Sequence, residues 1–449
     1  MMKKGTTTLA ALILLFLPLG LAAASELPFS LEASAYAKEK KEKKNQKTPE
    51  SEPEANHFST PGSRKATSRI FVVPPELKTA VDFWKMVYTK YDRNSEIFHD
   101  TEKLNVIYSV LDFSDLYNND ALTPDERKAL FQPRMDAEEA RIKEMLLHIH
   151  ELQYQPEKLS KEEHRIWECF KDDPNPDKFL EAADEKRIRA QTGIRNKFID
   201  AVRYSGAYID EFENIFSSNG LPVELTRLAI VESMFNVKAQ SKVGASGIWQ
   251  FMPTTGKLYG LAINRYIDER NDPIRATQAA ALLLKSNYDA LGTWPLAINA
   301  YNSGRATMSN AVNVMGTTDI ATIITNYRGG VYGFASRNFY PCFLAALEIA
   351  NHYPKYLGEI QRDQKFTYDT YYVKRPIRFG DLAMGAGVLP EVLMEYNPYL
   401  QPEVVDDQIK LPPGQEVRIP KGSSDQFAQA EMKAAQGFRE DVGAARAAP

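Results

Sequence analysis

Cysteine is almost missing from this chain of 449 residues, which carries only Cys169 and Cys342. Two thiols are too few for a disulfide scaffold, and their spacing matches no metal site. They are left either as one bridge or as two buried thiols, and the sequence does not choose between these. Histidine is scarce too, at six residues. His148 and His150 would project about 200° apart on a helix, so they form no metal pair. A net charge of one dominant sign is also absent: Lys plus Arg is 55 against Asp plus Glu 59. That balance removes the field that would draw in nucleic acid, which is not expected as a partner. No apolar run beyond the N-terminus is long enough for a membrane span, so a polytopic membrane protein is excluded. Hydrophobic residues at 43% and charged residues at 25% are ordinary for globular proteins and exclude wholesale disorder. The length allows two or three domains.

The N-terminus has its own grammar. Lys3 and Lys4 precede the apolar stretch Leu9 to Leu21, and Ala22-Ala23-Ala24 offers a small-residue cleavage site. Residues 1–24 therefore read as a secretory signal, with an uncleaved anchor and membrane association as the alternative. No Cys occurs there, which closes the lipoprotein route. A Lys-rich run and a Pro, Ser and Glu-rich stretch follow to about residue 68; they cannot bury enough apolar surface to order and read as a tether.

Residues 69–217 show helical spacing, clearest at Glu138 to Leu152 and Ala190 to Phe212, and nothing in them looks catalytic. The cluster Ser217-Ser218-Asn219-Gly220 marks a boundary. From 218 to about 360 the pattern is compact and almost all α, with helices at Asp272 to Leu291, Trp294 to Asn302 and around Pro341 to His352. Residues 366–420 read as strand, helices, strand, and the Ala-rich 421–449 as a frayed helix or disordered tail. The fold class is mainly α.

The chemistry concentrates after Leu221. On a helix, Leu225, Leu228, Ala229 and Glu232 share one stripe, so Glu232 occupies a core position. A carboxyl group in an apolar wall resists ionisation and stays a proton donor near neutral pH. A buried Glu satisfied by Arg or a helix terminus would show the same pattern, and this segment alone leaves both readings open. Ser241 to Pro253 is a small-residue loop with hydroxyl and amide groups, Trp249 and Met252. It reads either as a backbone that a sugar can approach closely, or as a turn with Trp249 in the core. Ala300-Tyr301-Asn302-Ser303-Gly304 then places a phenol and an amide at a helix end, and Tyr340 follows.

Taken in order, Glu232-Ser233, Gly247-Ile248-Trp249-Gln250, Ala300-Tyr301-Asn302 and Tyr340 resemble the lytic murein transglycosylases with a goose-lysozyme-like SLT domain, in particular the membrane-bound type D group. The resemblance covers about Phe212 to Tyr356. It implies a lysozyme-like all-α catalytic domain between a helical domain and a small module. Residues 366–420 resemble a degenerate LysM domain: Arg375-Pro376-Ile377-Arg378 stands where the usual Gly-Asp-Thr-Leu turn would be, with Gly380-Asp381-Leu382 displaced.

By position, the resemblance implies that Glu232 is the single acid and base and that Ser233 supports it. Ser241 would contact the muramic N-acetyl group, while Gly247 belongs to the G-x-x-Q element. Gln250, Met252, Tyr301, Asn302 and Tyr340 would line a cleft for peptidoglycan glycan strands. The implied reaction breaks the bond between N-acetylmuramic acid and N-acetylglucosamine without water, leaves a 1,6-anhydro ring, and needs neither cofactor nor metal. A hydrolytic muramidase would need a second carboxylate, for which Asp268, Glu269 and Asp272 are the nearby candidates; Asp272-Pro273 reads more simply as a helix cap. A non-catalytic wall-binding protein is the third reading. The expected location is the periplasm, with residues 69–217 either restricting the cleft or recruiting a protein partner.

Overall fold

A computed structural model describes residues 70–434. The expected signal peptide and tether, and the end of the expected tail, lie outside the described residues. The first α-helix of the described residues is α1 (Lys78–Thr89), whose Val81, Trp84, Val87 and Tyr88 recur at three-and-four spacing and are buried. Next come two strands, β1 (Ser95–Asp100) and β2 (Ile107–Asp112). Helix α2 (Pro124–Leu152) starts at a capping box in which Thr123 and Glu126 satisfy each other's backbone N–H groups. Helix α3 (Lys161–Phe170) starts the same way at Ser160 and Glu163. Strand β3 (Ile188–Thr192) completes an antiparallel sheet in the order β2-β1-β3.

This sheet corrects the expectation of a purely helical 69–217 region. Ala190, read as the start of a helix, pairs with Phe98 in the sheet, and the helix begins only at Arg195. Phe98, Tyr108, Ile142, Leu146, Ile166, Phe170 and Phe179 make a small separate core beneath the sheet.

Helix α4 (Arg195–Ser218) buries Phe198, Val202, Ile209, Phe212 and Phe216 along one face. A five-residue 3₁₀ turn, Val223–Arg227, leads into the short α5 (Leu228–Ser233). Helix α6 (Pro273–Leu291) is capped by Asp272, whose Oδ1 accepts from Ile274 N at 2.9 Å and Arg275 N at 3.0 Å. It is followed by α7 (Trp294–Ser303), α8 (Arg305–Met315) and α9 (Phe334–Asn351). Ala276, Ala279 and Ala280 of α6 and Ala300 of α7 are buried in one core with α1, α4, α5 and α9. The turn at Ser217 to Gly220 ends a helix without interrupting that core. Packing crosses the expected boundary at 217: α1 lies directly on α9, where Trp84 Nε1 donates to Asn338 Oδ1 at 2.8 Å.

The C-terminal module runs β4 (Tyr368–Tyr372), α10 (Phe379–Gly385), α11 (Pro390–Tyr396) and β5 (Glu416–Pro420), with β4 and β5 antiparallel. The strand, helices, strand order is the one read from the sequence. Its core holds Phe379, Leu382, Leu393, Leu411, Val417 and Ile419. Residues 424–434, where a frayed helix or a disordered tail was expected, form a helix docked on this core through Phe427 and Ala430. Glu431 fixes it by accepting from Lys374 N at 2.8 Å, from Arg375 N and from the Tyr371 hydroxyl.

The module is clamped onto the helical core. Arg418 pairs with Asp272, each 3% exposed. Asp268 N donates to Tyr399 O at 2.7 Å and Gln401 N to Tyr266 O at 2.9 Å. The cysteines do not bridge: Cys342 is buried in α9, Cys169 sits half-exposed on α3, and both thiols are free. Among the described residues, no helix is long and apolar enough to cross a membrane.

Candidate active site

Glu232 sits in the last turn of α5 and is 8% exposed. No hydrogen bond satisfies its carboxyl group among the described residues, so the reading of a Glu paired with Arg or a helix terminus does not apply. Burial pushes its pKa up to about 8. Such a group keeps its proton at neutral pH.

The backbone turns sharply just after it. Met234 and Phe235 both take left-handed conformations, with φ of 52° and 60°. For side-chain-bearing residues this costs about 1 kcal/mol or more each. Met234 N still reaches Ile230 O at 2.9 Å, and Phe235 N reaches Ala229 O at 3.2 Å, which closes the helix end. Gln250 is a third non-glycine residue with positive φ, at 49°. All three line the same open cleft as Glu232, whose volume is about 780 Å³. Strain of this kind gathers where the surroundings hold a side chain in a required position.

The loop after α5 is tied down from several directions. Ser233 Oγ lies 2.8 Å from Ile248 O and 3.2 Å from Ala229 O, joining the helix to the loop. Gln250 Nε2 donates to Gly247 O at 2.7 Å and Ala239 O at 3.1 Å. Ser241 Oγ accepts from Ala245 N at 2.8 Å within the hairpin, away from the cleft lining. Gly247 has φ of 78°, and a Cβ there would fall 1.8 Å from Arg270 O. The glycine is there because two backbones touch. Arg270 itself is buried, pairs with Asp268 and donates to Gly244 O at 2.7 Å and Phe251 O at 3.0 Å. Sequence reasoning missed this arginine, since nothing in the local pattern distinguishes a loop anchor from a surface charge.

Trp249 is fully buried, so it supports no sugar face. Its Nε1 donates to Thr277 Oγ1 at 2.7 Å, and Phe216 stacks on it with ring centroids 5.7 Å apart. Tyr301 donates to Trp249 O at 2.8 Å, and burial first, with Glu232 adding to it once ionised, pushes its phenol pKa well above the usual tyrosine value. Asn302 is buried: its Oδ1 accepts from Ser336 at 3.2 Å, while its Nδ2 has no partner among the described residues. Tyr340 is 1% exposed and stacks against Phe343 inside the core. Met252 is half-buried at the start of the next short helix. Of the expected site residues, Glu232, Ser233 and Gln250 line the cleft; Ser241, Gly247, Met252, Tyr301, Asn302 and Tyr340 stand behind or beside it.

Residues 212–324 match the transglycosylase SLT domain. The SLT match contains every expected site residue except Tyr340, which lies beyond its end. Two relatives resemble the chain more widely: the membrane-bound lytic murein transglycosylase D of Escherichia coli strain K12, and the protein of the same name from E. coli O6:H1 strain CFT073. Each is 28% identical over 248 residues, 54% of this chain and 53% of the relative. The chain thus spans about half the length of each. The cleft reaches past the SLT match on both sides: Lys197, Asp200, Tyr204 and Tyr208 come from α4, Asp363 from the segment after α9, and Glu395 from α11. These were not legible in the sequence, because no motif links three stretches so far apart.

Proposed function

We propose that the protein is a peptidoglycan lytic transglycosylase that cleaves between N-acetylmuramic acid and N-acetylglucosamine without consuming water. The observation that carries this is Glu232: a carboxyl group held neutral to about pH 8 by burial, inside the stretch that matches the SLT domain and facing the cleft. In this reading Glu232 gives its proton to the glycosidic oxygen as that bond breaks. The substrate's N-acetyl carbonyl stabilises the cationic carbon, and the glutamate then takes the proton of the muramic C6 hydroxyl as that oxygen closes the 1,6-anhydro ring. Proton and charge both balance, and the residue returns to its starting state. Neutral Tyr301 beside the carboxyl group keeps its surroundings uncharged, and Ser233 holds the helix end in place.

The three acids that a hydrolytic muramidase would call on are engaged elsewhere. Asp268 is paired with Arg270, Glu269 accepts from Ala262 N at 2.7 Å, and Asp272 caps α6 and pairs with Arg418. A wall-binding protein without catalysis would have no use for a strained turn that presents a neutral carboxyl group to an open cleft. The place of action in this reading is the cell envelope, on its periplasmic side, with the C-terminal module a LysM-like element.

Mass spectrometry of the soluble products from purified peptidoglycan tests the proposal. Anhydromuramyl ends from the wild type, with a loss of at least about 10²-fold in Glu232→Gln, are the expected result. Reducing muramic ends would replace it with hydrolysis, and no release from sacculi that still bind the protein would replace it with a binding role.

A further inference from the structure

The C-terminal module faces the helical core with more than a docking surface. Phe366 lies between Tyr208 of α4 and Tyr396 of α11, with ring centroids 5.4 and 5.0 Å away. Just before it, Asp363 N donates to Arg203 O at 2.9 Å, and Phe366 N donates to Ala207 O at 3.0 Å. The linker therefore lies directly along α4, and Gly206 permits it: a Cβ there would sit 2.2 Å from Asp363 O. On the far side, the buried Arg418 and Asp272 pair fixes the module's rotation. These contacts set Glu395, the neighbour of Tyr396, into the lining of the cleft that Glu232 faces.

The wall so formed has a definite chemistry. Tyr204 of α4 is 36% exposed and presents an aromatic ring beside it. Asp200 and Asp363 also line the cleft and share one counter-charge, Arg203, which lies 3.4 Å from the first and 4.0 Å from the second. Glu395 is exposed and makes no ion pair among the described residues. Lys238 stands in the lining on the loop that follows Glu232. The exposed lining acid that makes no ion pair among the described residues is thus supplied by the C-terminal module, and the buried Glu232 faces the same space without a hydrogen-bond partner among those residues.

The geometry points to Glu395 as a specificity-determining residue that reads a primary ammonium group on the bound glycan, so that the C-terminal module is a fixed wall of the cleft and not a separate glycan-holding appendage. This rests on the function proposed above. An ammonium group has two sources on such a polymer: a free amine on a peptide stem, or a glucosamine that has lost its acetyl group. Either would give Glu395 a charge-assisted hydrogen bond at the cleft rim.

The test compares purified peptidoglycan having free amines with the same material after chemical acetylation of those amines, using the full-length wild type and Glu395→Gln. The readout is kcat/KM for product release. Wild type should favour the amine-bearing form by about tenfold, as one charge-assisted bond implies, and Glu395→Gln should reduce that ratio to about twofold or less. Strands stripped of stems, before and after partial de-N-acetylation, assign the source. Loss of the preference on stripping marks the stem amine, and its return on de-N-acetylation marks the sugar amine. Equal rates on both forms for wild type, or an unchanged ratio in Glu395→Gln, would overturn the assignment. If the wild type releases nothing from any form, the transglycosylase reading fails by itself. The wall is then read by co-sedimentation: tighter binding to amine-bearing than to acetylated sacculi, lost in Glu395→Gln, supports it, and equal binding refutes it.

Discussion

Arg418 and Asp272 meet across the joint between the C-terminal module and the helical core, and both are buried. Arg418 also lies over the rings of Tyr368 at 4.8 Å and Tyr399 at 5.4 Å, while Asp272 uses its other oxygen to cap α6. Arg418→Met would leave Asp272 charged, buried and unpaired. The expected loss is about 3 to 5 kcal/mol in urea unfolding. The double variant with Asp272→Asn keeps the cap and removes the orphaned charge, so it should recover most of that loss. If the two single changes simply add in the double variant, the pair does not act as a joint.

Glu232 gives stability and activity the same demand on pH, because both need its carboxyl group protonated. Its folded value of about 8 lies above the roughly 4.3 of an unfolded Glu, so between these values the folded state holds a proton that the unfolded chain has released. Stability from this group is fully present below about pH 4 and is lost as pH rises to about 8. Glu232→Gln has no such dependence. Its stability relative to wild type should climb from pH 5 to 8 and level off above, by an amount on the order of a few kcal/mol, read from urea unfolding at each pH. Wild-type kcat/KM should fall with one proton above about pH 8. Parallel stability curves for the two proteins would mean that Glu232 ionises normally.

The buried place of Glu232 was legible because it is local. Glu232 declared itself by sitting on an apolar stripe, and the order of Gly247, Gln250, Tyr301 and Asn302 carried the resemblance. The Asp272 cap was legible for the same reason, since a side chain and the N–H groups it satisfies are neighbours in sequence. Other features depended on contacts that sequence spacing does not encode. Strands β1 to β3 are five or six residues long, and a helical window of that size absorbs them. Trp249 has the same flat apolar face whether it holds a sugar or Phe216; only burial decides. The tail helix hid inside Ala-rich composition, where Phe427, Ala430 and Glu431 fall on one face. Glu395 and Asp363 reach the cleft only because Gly206 lets the linker lie against α4.

Gly206 offers a substitution whose sign discriminates. In an isolated helix, Gly→Ala would stabilise by about 1 kcal/mol. Here the new Cβ would meet Asp363 O at 2.2 Å and Asp363 N at 2.8 Å, both backbone atoms of the linker. Gly206→Ala should therefore lower Tm, by about 1 to 3 kcal/mol of stability, and should open the linker near Asp363 to limited proteolysis. A raised Tm with unchanged proteolysis would show that the linker is not seated on α4.

The continuity of the core across Ser217 to Gly220 makes a sharper demand. A chain cut to 218–449 keeps Glu232, the Gly-rich loop and nearly all of the SLT match, yet it lacks α1 and α4. Phe216 would no longer cover Trp249, Phe212 would no longer stack on Phe235 at 5.5 Å, and Asn338 would lose the buried indole of Trp84. Phe71, which meets Phe343 edge-on at 5.2 Å, would go as well. Losing several large aromatic side chains from one core at about 3 to 5 kcal/mol each exceeds the 5 to 15 kcal/mol that holds a typical domain together. The 218–449 chain should show no cooperative thermal transition and no near-ultraviolet circular dichroism, whereas a chain starting at residue 70 should show both. A cooperative transition in the shorter chain would mean that α1 and α4 rest on a core already complete without them.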